Sequence, residues 1–181
     1  MEDNQIIELY RNGDEREAFN RIVRNYSEQL YWHIRKMVVI HEDADDILQN
    51  TFIKVWQGLP TFRQDSKLYT WLYRIATNES ITFLNKKRLK ATLSLSDYGS
   101  TLAGSVAQDS SFNGDELQRT LHQAIAQLPP KQKAVFNLRY FDEMKYEEIA
   151  EILDTSVGAL KASYHHAYNK VLQQVKEKID F

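Results

Sequence analysis

Residues 91–114, ATLSLSDYGSTLAGSVAQDSSFNG, hold two acids and no base, with six Ser and three Gly among 24 residues. On either side charge is dense. Residues 1–90 carry 14 Lys/Arg and 13 Asp/Glu, and residues 115–181 carry 9 and 10. A stretch of this composition has little apolar surface to bury and reads as a flexible linker. The chain of 181 residues is therefore expected to form two small domains, 1–90 and 115–181, on a tether at 91–114.

Both domains read as helical, so the expected fold class is all-α. Ile47, Leu48, Thr51, Phe52, Val55 and Trp56 recur in pairs four apart, one face of a helix. Asp43, Asp45 and Asp46 sit at its start, where carboxylates oppose the positive helix end, and Gly58 and Pro60 close it. A second long helix follows Asp65-Ser66, either of which can cap it, and ends in the basic run Lys86-Lys87-Arg88. Upstream, residues 4–11 suit a short helix and 14–39 a long one. In the second domain the expected helices are 115–127, 131–141, 145–153 and 156–177. The last two, joined by Asp154-Thr155-Ser156-Val157, have helix-turn-helix spacing. Only three Pro and six Gly speak against a many-turned β architecture.

Zero Cys excludes disulfides, thiolate metal sites and a cysteine nucleophile. The opening Met1-Glu2-Asp3-Asn4 lacks the basic-then-apolar order of a signal peptide, and no apolar run reaches the roughly 18 residues of a membrane helix. A cytoplasmic protein without membrane insertion is expected. Net charge is −2. A protein that coats duplex DNA unaided is usually more basic, because phosphate neutralisation supplies most of that affinity.

Wound at about 100° per residue, the last helix places Leu160, Tyr164, Ala167 and Val171 on a core side. Lys161, Ala162, His165, His166 and Asn169 fall on the other, with Gly158 near that face at the helix start. An ammonium, two imidazoles and an amide suit phosphates or base edges, while an ordinary solvated face is the plain alternative. Adjacent His165 and His166 diverge, so no metal is expected there. In the first domain, residues 62–74 interleave aromatics with bases, and Arg63–Lys90 holds seven bases against two acids. That pattern suits single-stranded nucleic acid, since rings stack on unpaired bases and cations track the backbone. Core packing of the same rings is the competing reading. The acidic group Glu42, Asp43, Asp45 and Asp46 reads as helix-start carboxylates before it reads as a magnesium site.

Three ordered blocks resemble bacterial RNA polymerase sigma factors of the compact extracytoplasmic-function group. They are Asp43 to Trp56 (DADDILQNTFIKVW), Phe62 to Ala76 (FRQDSKLYTWLYRIA), and Leu128 to Tyr140 (LPPKQKAVFNLRY) with Tyr146-Glu-Glu-Ile-Ala150 and Val157-Gly158. They are similar to that family's polymerase-binding helix, its −10 reading and melting segment, and its −35 reading domain. The resemblance spans nearly the whole chain. It implies a factor that directs core RNA polymerase to specific promoters and assists melting, with no catalytic residues, cofactor or metal of its own.

Carried over by position, Asp43, Asp45, Asp46, Gln49, Phe52 and Val55 are implied to bind polymerase. Lys54, Phe62 and Asn78, with loop 60–66, are implied to capture a flipped −10 base. Tyr69, Trp71 and Tyr73 lie in the strand-separating segment, and Arg74, Lys86, Lys87 and Arg88 meet phosphates. Gly158, Lys161, Ser163, His165, His166 and Asn169 are implied to read the −35 duplex. An anti-sigma factor, in this family often membrane-anchored, is the implied regulator. The last helix departs from many members in having Ser163, Tyr164, His166 and Tyr168 where several Arg are common. A helix-turn-helix repressor binding a duplex as a dimer, and a metal-dependent nuclease, are the alternative functions.

Overall fold

The computed structural model describes residues 2–112 and 114–179. It contains nine α-helices among these residues: α1 (Glu2–Arg11), α2 (Glu15–Val38), α3 (His41–Gly58), α4 (Leu68–Leu93), α5 (Tyr98–Gln108), α6 (Glu116–Ala126), α7 (Pro130–Tyr140), α8 (Tyr146–Leu153) and α9 (Val157–Lys178). Short 3₁₀ turns occupy Leu59–Thr61 and Ser110–Phe112, and no strand occurs among the described residues. The all-α fold class expected from the sequence is the one observed.

The first unit packs α1 to α4 around α2. Ile22, Leu30, Ile34 and Met37 of α2 meet Ala44, Ile47 and Val55 of α3 and Leu68, Leu72 and Ala76 of α4 in one apolar cluster. The helix starts follow local chemistry in part. Ser156 accepts the Ala159 amide at 3.2 Å to cap α9, and Pro130 stands at the start of α7. The expected Asp65 or Ser66 cap of α4 is corrected: the helix begins one residue later, with Lys67 at the N-cap and no side-chain bond. Asp154, in the left-handed region at φ 49°, turns α8 into α9, a conformation Asp tolerates better than most residues.

Segment 91–114, expected as an unstructured tether, is helical over much of its length. α4 runs on to Leu93, and α5 buries Leu102, Ala103 and Val106. Asp97 caps α5, accepting the Gly99 amide at 3.1 Å and the Ser100 hydroxyl at 2.8 Å. Small residues that look too apolar-poor to fold suffice here because α6 and α4 supply the opposing surfaces. Just after α5, Asp109 receives Arg35 of α2 at 2.6 Å, and the Arg35 guanidinium lies over the Phe112 ring at 5.1 Å.

The two halves are packed together. α7 lies on α2 and α4, and α8 lies on α4. The main apolar cluster runs through both, joining Met37 and Leu72 to Ala134, Leu138, Ile149 and Ile152. A smaller cluster of Ala124, Ile125, Leu128, Phe136, Ala167 and Val171 belongs to the second half alone. Polar contacts cross the same boundary. Lys133 of α7 is 1% exposed and donates to the Met37 carbonyl at 3.1 Å, near the end of α2 where carbonyls lack intrahelical partners. Asp142 faces His33 at 3.6 Å and Lys36 at 3.8 Å. Burial lowers the Lys133 pKa to about 7, with the nearby Arg88 charge acting in the same direction.

Candidate nucleic-acid interface

In the second half the winding of α9 is as expected. Leu160, Ala167 and Val171 are buried and Tyr164 is half-buried against Phe136 at 5.8 Å. Gly158, Lys161, His165, His166 and Asn169 are exposed, and Ser163 is half-buried. Asn169 and His165 hydrogen-bond to each other at 3.1 Å, and the Lys161 ammonium sits 5.8 Å from the Tyr146 ring centroid. The face is thus open, polar and thinly charged. His165 and His166 have ring centroids 6.2 Å apart, and no group of three metal-ligating side chains exists among the described residues.

In the first half, the turn after α3 is shaped by a tilted ring pair. Phe62 and Trp71 lie 4.8 Å apart at 35°. Gly58 makes room for them: a Cβ there would stand 2.9 Å from the Trp71 ring. The Thr61 hydroxyl donates to the Gly58 carbonyl at 2.9 Å, and Arg11 of α1 donates to Gln64 at 3.0 Å. A cavity of about 350 Å³ opens beside this turn, walled by Ile6, Ile7 and Tyr10 on one side and Leu59, Phe62 and Gln64 on the other. Of the three residues expected to form a base pocket, Phe62 lines it. Lys54 and Asn78 stand outside, both exposed, with Lys54 paired to Glu79. The α1 wall was missed from sequence, because nothing in a short amphipathic helix announces which loop it will support.

Along α4, Arg74, Lys86 and Arg88 are exposed, while Trp71 and Lys87 are half-buried, Lys87 lying 5.5 Å from the Phe83 ring centroid. Tyr73 corrects an expectation: it is 0% exposed, packed 4.9 Å from the His33 ring, and meets no DNA in this arrangement. Tyr69 donates its hydroxyl to Glu148 of α8. Burial, then that bond, pushes the Tyr69 pKa up to about 12.

On α3, Asp46 and Gln49 are exposed, and Asp43, Asp45 and Phe52 are half-buried. Asp45 pairs with His41 at 3.2 Å. Burial, with Asp46 and Glu42 nearby, raises the Asp43 pKa despite the opposing Lys87 charge. Val55 is the second correction: at 0% exposure it belongs to the core, and the apolar surface offered by α3 is Ile53 and Trp56, both exposed. Sequence pairing at four-residue spacing marks that a face exists but not which neighbour covers it.

An aromatic and cationic helix, α4, lies in the first half, and an open helix-turn-helix, α8 and α9, lies in the second. Residues 22–90 match the family Sigma-70 region 2, and residues 118–171 match Sigma-70, region 4. The chain is 32% identical to the ECF RNA polymerase sigma factor SigW of Bacillus subtilis (strain 168) over 179 residues, 94% of this chain and 95% of that one. It is 29% identical to the ECF RNA polymerase sigma-E factor of Escherichia coli (strain K12), covering 99% and 97%. Among solved structures, CnrH in complex with the cytosolic domain of CnrY has the same fold, with a TM-score of 0.72, 23% identity, and coverage of 99% of this chain and 100% of that one. The sigma factor RpoE in complex with the anti-sigma factor NepR from Bartonella quintana follows at a TM-score of 0.66 and 20% identity, covering 90% and 98%.

The chain belongs to the extracytoplasmic-function sigma factors of bacterial RNA polymerase. Its function is promoter-specific initiation of transcription with that polymerase. No helix among the described residues is long and apolar enough to cross a membrane.

Proposed function

We propose that the work is divided between the halves as the two DNA-facing surfaces suggest. The first half, with 1–90 as its expected extent, docks on core polymerase through Asp43, Asp45, Asp46, Gln49 and Phe52. It takes the unpaired −10 strand at the Phe62–Trp71 turn, with Lys54, Tyr69, Arg74, Asn78, Lys86, Lys87 and Arg88 along the path. The second half, 115–181, reads the −35 duplex with Gly158, Lys161, Ser163, His165, His166 and Asn169. The chain contributes no covalent chemistry. Extruding a base costs a few kcal/mol and is offset by stacking at the turn, which assists melting.

The observation that carries this reading is the Phe62–Trp71 ring pair, 4.8 Å apart, with Phe62 lining the cavity and Trp71 on a helix whose exposed cations continue along the same path. It supports stacking of an unpaired base. Regulation is by an anti-sigma factor, supported by the complexes in which CnrH and RpoE were solved.

The test is a pull-down of purified core RNA polymerase with the chain, then run-off transcription on a fragmented genomic library. Stable binding with discrete new start sites is expected. Trp71→Ala or Asn78→Ala should impair open-complex formation more than polymerase binding. Equal loss of both overturns the −10 assignment. Sequence-specific duplex binding with no polymerase binding would favour a repressor.

A further inference from the structure

From its start to Asn169, α9 carries Lys161 as its only Lys or Arg. The placement of that one ammonium therefore matters more than it would on a face with several cations. A lysine ends a flexible four-carbon stem, and ordering an exposed one on binding costs rotamer entropy. The structure gives Lys161 a seat. Its Nζ lies 5.8 Å from the centroid of the Tyr146 ring. Among the described residues, no ion pair includes Lys161.

Tyr146 is the first residue of α8 and is half-buried. Neighbours fix its ring. The Arg139 guanidinium lies 4.7 Å from the ring centroid, and Arg139 is itself tied down by donating to the Met144 carbonyl at 2.9 Å. Tyr164 of α9 meets the ring edge-on, 6.4 Å away at 72°. Tyr164 in turn stacks on the buried Phe136 at 5.8 Å. The ring is thus anchored to the end of α7 and to the core side of α9, and Lys161 stands beside it.

Resting on the −35 assignment proposed above, we propose that Tyr146 is a positioning residue for −35 reading. Its ring holds the Lys161 ammonium near the start of α9, so that the cation meets the duplex already placed. The attraction is between the charge and the negative face of the ring. It leaves ammonium N–H donors for a phosphate or a base edge. Less side-chain freedom is then lost on binding, which tightens the complex. A ring suits this task better than a carboxylate. A carboxylate would hold the lysine equally well, but it would cancel the charge and repel the incoming phosphates.

The test is a gel-shift of holoenzyme on a promoter fragment recovered by run-off transcription, and on the same fragment with its −35 region replaced. The ratio of the two affinities isolates the −35 contribution from polymerase docking and from −10 contacts. Tyr146→Leu should lower this ratio about two- to fivefold, the worth of one such contact. Tyr146→Phe keeps the ring face and should stay near wild type. Phenylalanines of increasing ring fluorination at position 146 keep the shape while draining charge from the ring face. The ratio should fall stepwise along that series, which stays informative even where Tyr146→Leu folds poorly. In a Lys161→Ala background both the leucine and the fluorination effects should vanish, because residues acting as one unit are not additive.

A ratio unchanged along the fluorinated series, or effects that persist at full size without Lys161, overturns the positioning role and leaves Tyr146 as packing. If Lys161→Ala lowers the ratio and no Tyr146 variant does, the positioning role falls and the −35 assignment of Lys161 stands. If Lys161→Ala itself leaves the ratio unchanged, that assignment falls with it.

Discussion

Replacing Lys133 with Met should remove most of the rise in stability that the protein shows between pH 7 and pH 9. Lys133 is 1% exposed, its amine donates to the Met37 carbonyl across the boundary between the halves, and its pKa is lowered from 10.5 to about 7. A base whose folded pKa lies below its unfolded value carries a penalty that is fully present below the folded pKa. The penalty is relieved as pH rises toward 10.5, because the unfolded chain still binds the proton and the native one does not. Stability then climbs by up to about 1.4 kcal/mol per pH unit. With the midpoint at about 7, the gain from pH 7 to 9 sums to about 2 kcal/mol.

Other groups leave this window readable. His122, lowered by burial and by Lys36, titrates below it. The unfolded forms of Tyr26, Tyr69, Tyr73 and Tyr98 ionise near 10, above it. Lys36, lowered by burial against the pull of Asp142, acts in the same direction as Lys133 but equally in both proteins, so it cancels in the difference. Urea unfolding at pH 7 and pH 9 on wild type and Lys133→Met gives that difference directly. Met fills about the same volume without a charge, and the buried Met37 carbonyl left without its donor costs about 1–3 kcal/mol. At pH 7 the variant should therefore be at least as stable as wild type. Parallel pH dependence in the two proteins would refute the reasoning, because it would mean that the lysine is hydrated in solution.

Asp109→Asn should destabilise by roughly 2 kcal/mol in urea unfolding, because it leaves the Arg35 guanidinium, 4% exposed, without its carboxylate. Burial raises the Asp109 pKa, but the Arg35 bond and charge together with the Ser111 hydrogen bonds outweigh it and hold the carboxyl below its usual range. The stability this pair gives is present above the unfolded Asp value and is lost as pH falls through the lowered one, so wild type and variant should converge in acid. Gly58→Ala should displace the Trp71 ring, since the new methyl would stand 2.9 Å from it. A loss of roughly 1–3 kcal/mol and a changed tryptophan emission are expected, with open-complex formation falling more than polymerase binding. Lys161→Ala should weaken −35 duplex binding in a gel-shift with holoenzyme while leaving polymerase docking intact. Unchanged use of promoters with altered −35 sequences would remove Lys161 from the reading face.

Much of this protein is determined by local sequence. The helical period in α3 and α9, the cap at Ser156 and the proline at the start of α7 act within a few residues, so their outcome does not wait on the rest of the chain. The polar face of α9 follows from the same winding, because a 3.6-residue repeat with Leu160, Ala167 and Val171 inward leaves Lys161, His165 and Asn169 outward. Tertiary packing decided what those periods leave open. α5 becomes a helix because α6 and α4 offer it apolar partners, although its own small residues suggest a tether. Val55 and Tyr73 turn inward because α2 lies over them, and no spacing rule says which neighbour will cover a given face. The carboxylates of α8 oppose the cations of α4 across some 80 residues of chain, a pairing that exists only once both halves have folded. Short-range geometry fixes what each helix presents, and long-range packing fixes what it is presented to.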